Sequence, residues 1–87
     1  MAFLFLPLMV FVYILKSEVS EKMYVGMTQD LSRRLAEHNS GKSKFTKGYK
    51  PWKLLYSEKL DDYKEARKRE KYLKSGQGRD WIKENMR

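Results

Sequence analysis

Hydrophobic residues occur in three short runs that predict β-strands. Residues 10–15 are nearly all β-branched or aromatic, which indicates a strand buried on both faces or nearly so. Residues 23–27 predict a second strand, and residues 52–59 predict a third. In the third run two sets of side chains alternate, as expected of a strand with two different faces: Trp52, Leu54 and Tyr56 against Lys53, Leu55 and Ser57.

The polar residues 16–22 predict a hairpin loop between the first two strands. A four-residue loop that places Lys16 opposite Glu21 also places Tyr13 opposite Tyr24. Directly opposed side chains stand about 5 Å apart, so the two phenols are expected on one face of the sheet.

A helix is predicted from Asp30 to about Asn39. Asp30 is a good N-cap, and Gly41 is a stop signal. Residues spaced by three and four share a helix face, and the predicted inner face consists of Leu31, Arg34, Leu35 and His38. Arg33 and Glu37 are expected on another side of the helix.

A second long helix is expected to begin at Asp61 or Asp62 and to end near Ser75, with Gly76 as its glycine C-cap. Its predicted inner face consists of Tyr63, Ala66, Glu70 and Leu73. A last short helix over about residues 79–86 is expected to turn three side chains inward: Trp81, Ile82 and Asn85. The element order ββαβα plus a short C-terminal helix predicts a mixed α/β (α+β) fold.

An 87-residue chain has room for one small core. Residues 1–15 carry no ionisable group apart from the phenol of Tyr13, but Pro7 interrupts them and they fall short of the roughly 20 residues of a spanning helix. We interpret residues 1–8 as an apolar N-terminal extension and residues 9–87 as the domain, with Met9 as the natural start. The alternative is a membrane-associated peptide held by residues 1–15.

The amino-acid composition excludes several kinds of site and favours one class of partner. The chain has no cysteine and one histidine, which excludes a disulfide framework, a thiolate zinc site, a cysteine nucleophile and a histidine metal cluster. Nineteen Lys and Arg against eleven Asp and Glu give a net charge of +8, which favours polyanions and above all nucleic acid. The aperiodic residues 41–51 predict a loop, here called the lysine loop. From residue 41 to residue 53 there is no acid, and the lysines are Lys42, Lys44, Lys47, Lys50 and Lys53.

Two charged residues occupy predicted inner positions, where burial of an unpaired ion is costly. These are Arg34 and Glu70. Glu70 is either the salt-bridge partner of Arg34 or of a neighbouring lysine, or a carboxylate ligand for a hard divalent cation in a phosphate-binding cleft. Tyr13 and Tyr24 are either plain strand aromatics or functional phenols, and His38 is either a satisfied core residue or part of a site.

Taken together, these residues resemble the GIY-YIG nuclease family. The resemblance is carried by Phe-Val-Tyr at 11–13, Tyr-Val-Gly at 24–26, Thr28, Arg34, His38 and Glu70, and it is most specific over residues 24–41. The chain looks most like small single-domain bacterial members related to the N-terminal nuclease domain of UvrC. The glycine and isoleucine of the first motif are Phe11 and Val12 here, a departure that we do not interpret as loss of activity.

The resemblance implies roles for individual residues. The two motif tyrosines fall on Tyr13 and Tyr24, the catalytic arginine and histidine on Arg34 and His38, and the metal-binding glutamate on Glu70. Thr28 and Asn85 are candidate supporting residues. Six basic residues are candidates for nucleic-acid binding: Lys42, Lys44, Lys47, Lys50, Arg67 and Lys71.

The resemblance also implies a fold and an activity. The fold would be a three-stranded antiparallel sheet flanked by helices. The activity would be hydrolysis of DNA phosphodiesters with one divalent ion, Mg²⁺ or in its place Mn²⁺, by a cytoplasmic protein of repair or recombination. Either phenol could serve as the base if Arg34, the metal and nearby lysines lower its pKa. The alternative is a non-catalytic nucleic-acid-binding module of the same fold. With no second domain to give sequence specificity, the enzyme would act on structured or damaged DNA or with a protein partner.

Overall fold

The computed structural model describes residues 9–86 and contains one antiparallel sheet. Strand β1 spans Val10–Ser17, β2 spans Met23–Thr28 and β3 spans Trp52–Leu60, in the spatial order β2-β1-β3. Because β1 is central, both of its faces are covered, and the residues from Val12 to Leu15 are at most 1% exposed. The strand buried on both faces and the three-stranded sheet are therefore confirmed.

Three helices flank this sheet: α1 (Leu31–Ser40), α2 (Tyr63–Lys74) and α3 (Gly76–Asn85). Asp30 caps α1 by accepting the backbone N–H of Arg33, and Gly41 ends it in the left-handed region at φ 85°. The lysine loop contains one short 3-10 turn, Lys47–Tyr49. The predicted order of strands and helices and the mixed fold class are confirmed.

The sheet has a different core on each face. On one face, Val10, Val12 and Ile14 of β1 pack against α2 and α3 through Ala66, Leu73 and Ile82. On the other face, the core contains Tyr13, Leu15 and Trp52, with Leu31 and Leu35 of α1 packed against it. The second face carries the paired tyrosines and the inner side of α1, and it therefore positions the candidate site.

The predicted hairpin register is wrong by two residues. Tyr13 stands opposite Gly26, and Tyr24 stands opposite Leu15. The four-residue loop begins one position later than expected, because Ser17 accepts two loop N–H groups on its hydroxyl and closes the hairpin by donating its own N–H to the Lys22 carbonyl. A shift of two residues keeps each side chain on its original face, so the two phenols still share one.

The regular alternation predicted for β3 is interrupted. Ile14 pairs with Tyr56 but the next residue, Leu15, pairs with Leu54, so that Leu55 is an extra residue in the ladder. Trp52 consequently packs on the tyrosine face, whereas both Leu55 and Tyr56 pack on the α2 face. A bulge is a property of the pairing of two strands, which the alternation of one strand does not reveal.

The end of α2 also differs from the prediction. Gly76 is the first residue of α3 and not a C-cap, because the Ser75 hydroxyl accepts the N–H of Gly78 and starts a new helix at once. A Cβ on Gly78 would lie 2.1 Å from the Tyr72 carbonyl oxygen and 2.5 Å from the Leu73 Cα. The two helices thus approach each other too closely for any side chain at this position.

Two side chains of the last two helices do not face inward as predicted. Tyr63, at the first turn of α2, is 53% exposed and not inward. Asn85 is exposed as well, and its amide donates to the Trp81 carbonyl in its own helix. The inner side of α2 includes instead Arg69, which lies over the ring of Trp81 and forms an ion pair with Glu58 of β3.

The predicted N-terminal extension, residues 1–8, lies outside the described residues. Within residues 9–86, none of the helices is both long and apolar enough to cross a membrane.

Candidate active site

Tyr13 is the centre of the candidate site. It is 1% exposed, and its hydroxyl lies 3.0 Å from Nε2 of His38 and accepts a 3.4 Å hydrogen bond from Nε of Arg34. Arg34 and His38 are four residues apart on α1, so a single helix face presents both to the phenol. The predicted grouping of these three residues is therefore present in the structure.

His38 connects Tyr13 to the lysine loop. Its side chain is fully buried, and its Nδ1 lies 2.8 Å from Oγ1 of Thr46, which is 1% exposed. Burial lowers the pKa of His38, and the positive charge of Arg34 lowers it further, so the ring is neutral at neutral pH. One ring nitrogen of a neutral imidazole donates and the other accepts, and both nitrogens here have a partner.

Burial raises the pKa of the Tyr13 phenol above its ordinary value of 10. The negative charge of Glu70 and the neighbouring Tyr24 act in the same direction, whereas the hydrogen bond from Arg34 lowers the pKa. The lowering effect expected of Arg34 is thus present, but burial outweighs it.

Tyr24 covers Tyr13 and His38 from the neighbouring strand. Its ring centroid lies 6.2 Å from that of Tyr13 and 4.8 Å from that of His38. Gly26 makes this arrangement sterically allowed, since a Cβ at that position would lie 2.6 Å from the Tyr13 hydroxyl and 2.9 Å from Cε2 of Tyr24. The glycine in Tyr24-Val25-Gly26 is therefore required by the space that the two rings occupy.

Arg34 does not form an ion pair with Glu70, which was one of the alternatives for that carboxylate. Its Nη1 donates to Oε1 of Glu37 at 2.9 Å, and Arg33 reaches the other oxygen of Glu37 at 3.3 Å. The expectation that Glu37 lies apart from Arg34 is wrong, because at a spacing of three residues the carboxylate folds back to the guanidinium. Hydrogen bonds to Glu37 and Tyr13 raise the pKa of Arg34, which is therefore a permanent cation.

Glu70 lies on α2 with a side chain that is 19% exposed, and it accepts a 3.4 Å hydrogen bond from Nζ of Lys74. Of the two ion-pair partners considered for Glu70, a neighbouring lysine and not Arg34 is the one present. Its charge acts on the Tyr13 phenol, which brings Glu70 into the electrostatic surroundings of the site.

Glu70 offers a single carboxylate to a divalent ion. Within residues 9–86 there is no group of three or more His, Cys, Asp or Glu side chains that could hold a metal. Mg²⁺ commonly binds through one or two carboxylates and fills its remaining positions with waters and substrate phosphates. An ion that arrives with such a substrate needs few protein ligands, and Glu70 would supply one of them.

The predicted basic residues lie on the surface. All four lysines of the lysine loop, Lys42, Lys44, Lys47 and Lys50, are exposed, as are Arg67 and Lys71 on α2. Thr28 has a local role, because its hydroxyl bonds to the backbone N–H and carbonyl of Asp30 at the start of α1. The exposed Asn85 bonds within α3.

The roles of two residues in this region were not predicted from the sequence. Thr46 holds His38, but it lies in an aperiodic loop where no spacing distinguishes a buried residue from an exposed one. Asn39 pairs its side-chain amide with both backbone groups of Trp52, at 2.9 Å and 2.5 Å, and so fixes the end of α1 to the start of β3. Its position at the end of a helix gives no indication of this distant partner.

The residues of this site lie within a range that matches a known protein family. Residues 9–85 match the family model described as the GIY-YIG catalytic domain. The chain belongs to the GIY-YIG family. The resemblance noted in the sequence is thereby confirmed, and the family is one of nucleases, generally dependent on a divalent metal.

Similar proteins carry the name UPF0213. One from Clostridium perfringens is 43% identical over 65 residues, which cover 74% of this chain and 69% of that protein. Another, from Syntrophus aciditrophicus, is 45% identical over 67 residues, covering 74% and 75%. The solution NMR structure of the UPF0213 protein BH0048 from Bacillus halodurans is 31% identical, with a TM-score of 0.52 over 85% of this chain and 81% of that chain.

Proposed function

We propose that this protein is a metal-dependent endonuclease that hydrolyses phosphodiester bonds in DNA. The observation that carries the proposal is the position of the Tyr13 hydroxyl between a neutral histidine at 3.0 Å and a permanent arginine cation at 3.4 Å. A phenol with a proton acceptor on one side and a cation on the other is equipped to take a proton from water.

Of the two tyrosines, Tyr13 is the better candidate for the general base. As water attacks phosphorus, its proton passes to the Tyr13 oxygen while the phenol proton passes to Nε2 of His38. The bond from phosphorus to the leaving sugar oxygen breaks, and that oxygen takes a proton from solvent. This path requires His38 to carry its own proton on Nδ1, where it donates to Thr46 at 2.8 Å. Tyr24, which is half-buried, lies nearer the solvent side and would orient the phosphate.

The two charged groups have complementary roles in the proposal. Arg34 would stabilise the negative charge that develops on the phosphate oxygens. Glu70 would hold the divalent ion in place of its present partner Lys74, whose side chain is 52% exposed. A bound Mg²⁺ or Mn²⁺ supplies Lewis acidity at a phosphate oxygen.

The rest of the surface fits a DNA substrate. The net charge of +8 and the exposed lysine loop provide a positive field around a site that would bind phosphates. The loop begins directly after α1, which carries Arg34 and His38. Phosphates bound by Lys44 and Lys47 would therefore flank the scissile one.

One observation favours a second candidate, a non-catalytic nucleic-acid-binding module. Arg34 and Glu70 are both already in ion pairs, with Glu37 and Lys74. A chain that only binds DNA would keep these pairs and the basic surface without using the phenol.

A cleavage assay on the full chain separates the two. The substrates would be single-stranded, duplex and branched DNA and RNA, each with Mg²⁺ or Mn²⁺ and each matched by an EDTA control. We expect divalent-dependent cleavage of at least one DNA form. Binding without cleavage of any substrate would support the module instead.

A further inference from the structure

Phe45, in the lysine loop, has an unusual position for an apolar side chain. It is 86% exposed, the largest exposed fraction of any large hydrophobic side chain that the structure describes. Exposed apolar residues are common, but an almost fully exposed Phe beside a charged functional site needs a reason.

The backbone that carries Phe45 is fixed. The next residue, Thr46, is buried, and its hydroxyl bonds to His38 while its carbonyl accepts the indole N–H of Trp52 at 2.8 Å. The N–H of Thr46 also donates to the carbonyl of Ser43. The ring is therefore presented to solvent from an anchored position, and little backbone entropy would be lost when it binds a partner.

The neighbours of Phe45 indicate the kind of partner. Lys44 and Lys47 are both exposed on the same short segment, so a cation lies on either side of the ring along the chain. Lysine is depleted in the centre of protein interfaces, which argues against a protein partner. A ring between two cations suits a ligand that alternates anions with flat aromatic groups, as a nucleic-acid strand does.

Phe45 is connected to Tyr13 by a short series of bonds. One peptide bond joins Phe45 to Thr46, one hydrogen bond joins Thr46 to His38, and one more joins His38 to Tyr13. A base bound on Phe45 would therefore belong to a nucleotide close to the phosphate at the site.

We propose that Phe45 is a base-stacking residue that binds an unpaired nucleobase beside the scissile phosphate. This inference rests on the proposed nuclease function and deepens it, because it assigns a substrate class. Bases inside a continuous duplex already stack on both faces, whereas single strands, flaps and branch points offer a free face. The preferred substrates are then those with an unpaired base near the cut.

Binding without cleavage tests the inference. The protein carries Glu70→Gln, the buffer contains EDTA, and the probes are a single-stranded oligonucleotide with 2-aminopurine, the matching blunt duplex and a flapped duplex. We expect Phe45→Ala to weaken single-strand and flap binding by about five- to 150-fold and to leave duplex binding within about twofold. Stacking on Phe45 should quench the fluorescence of 2-aminopurine when the probe binds, and Phe45→Ala should abolish this quenching.

Two further variants separate stacking from mere apolar contact. Phe45→Trp keeps an aromatic face and should retain single-strand binding, whereas Phe45→Leu keeps apolar area without that face and should lose it. An equal loss on duplex and single strand, or normal single-strand binding by Phe45→Leu, would overturn the stacking role. If the parent protein binds the probes and Phe45→Ala binds them equally well, only this inference fails. If the parent binds no nucleic acid, the proposed function fails with it.

Discussion

His38 donates or accepts at Nε2 toward the Tyr13 hydroxyl across 3.0 Å, and its Nδ1 is committed to Thr46 at 2.8 Å. Because a neutral imidazole has one donor and one acceptor, the role of Nδ1 toward Thr46 and the role of Nε2 toward Tyr13 are linked. A residue of the lysine loop is thus connected through His38 to the phenol at the centre of the site. This relationship connects the surface proposed to bind DNA with the group proposed to activate water.

Thr46→Val should remove the hydrogen bond to His38 while a side chain of similar size fills the position. The variant leaves Nδ1 of a fully buried histidine without a partner, which costs about 1–3 kcal/mol of folding stability. We expect a lower thermal midpoint and at least a tenfold loss of nicking rate. Thr46→Ser, which retains the hydroxyl, is the matched control and should stay near wild type in both measurements. Equal behaviour of the two variants would show that the hydroxyl has no such role.

Stability should fall in mild acid because of His38. Burial lowers its pKa in the folded state, so the unfolded chain binds the proton more readily. The stabilising contribution is complete above the unfolded pKa of about 6.5 and is lost as the pH falls toward and through the folded pKa, by at most about 1.4 kcal/mol per pH unit.

The measurement is the thermal midpoint of wild type and His38→Gln between pH 8 and pH 5. Carboxylates such as Glu37 are present in both proteins, so their contribution to the pH dependence cancels in the comparison. The advantage of wild type should shrink as the pH falls, and 1 kcal/mol corresponds to roughly 4–8 °C for a domain of this size. A constant difference across this range would contradict the assignment of a neutral buried imidazole.

Gly26→Ala should disrupt the tyrosine pair. The new Cβ would stand 2.6 Å from the Tyr13 hydroxyl, so the phenol must leave Arg34 and His38. Overpacking of this kind costs about 1–3 kcal/mol, and nicking should be lost with it. Gly48→Ala is the control, since a Cβ there meets nothing within 4 Å. Full nicking activity in Gly26→Ala would show that the phenol does not need its present position.

DNA affinity should depend steeply on salt through the lysine loop. Each duplex phosphate contact contributes about −0.9 to the slope of log affinity against log salt, so replacement of Lys44 and Lys47 by Ala should flatten the slope by about 1.8. The control replaces Lys59 and Lys64, which are exposed outside the loop. An unchanged slope in the first variant, measured by titration at several salt concentrations, would place the contact surface elsewhere.

The local features of the fold were predictable, whereas contacts between distant elements were not. The Asp30 cap, the Gly41 stop and the inner position of His38 follow from short-range spacing and are confirmed. The two tyrosines share a face despite the wrong register, because strand side chains repeat every two residues.

Most of the features that were not predicted share a cause. The bulge at Leu55, the close crossing at Gly78 and the bond from Thr46 to His38 each depend on a partner far along the chain or in another element. The Glu37 partner of Arg34 is an error of a different kind, since helix-face spacing places the Cβ and says little about where a long side chain ends.

In the proposed mechanism Glu70 holds a catalytic metal and is not a structural partner of Arg34. Its only ion pair in the described structure is with Lys74, a half-exposed pair worth at most about 1 kcal/mol. The decisive measurement pairs divalent-dependent DNA nicking with the thermal midpoint for wild type and Glu70→Gln. Glu65→Gln, which changes an exposed acid on the same helix, is the control.

We expect Glu70→Gln to lose nicking by about two orders of magnitude or more, with a midpoint near that of wild type and with DNA binding in EDTA unchanged or tighter. Glu65→Gln should nick normally. Wild-type nicking by Glu70→Gln, or no nicking by wild type with any divalent ion and DNA form, would contradict the account.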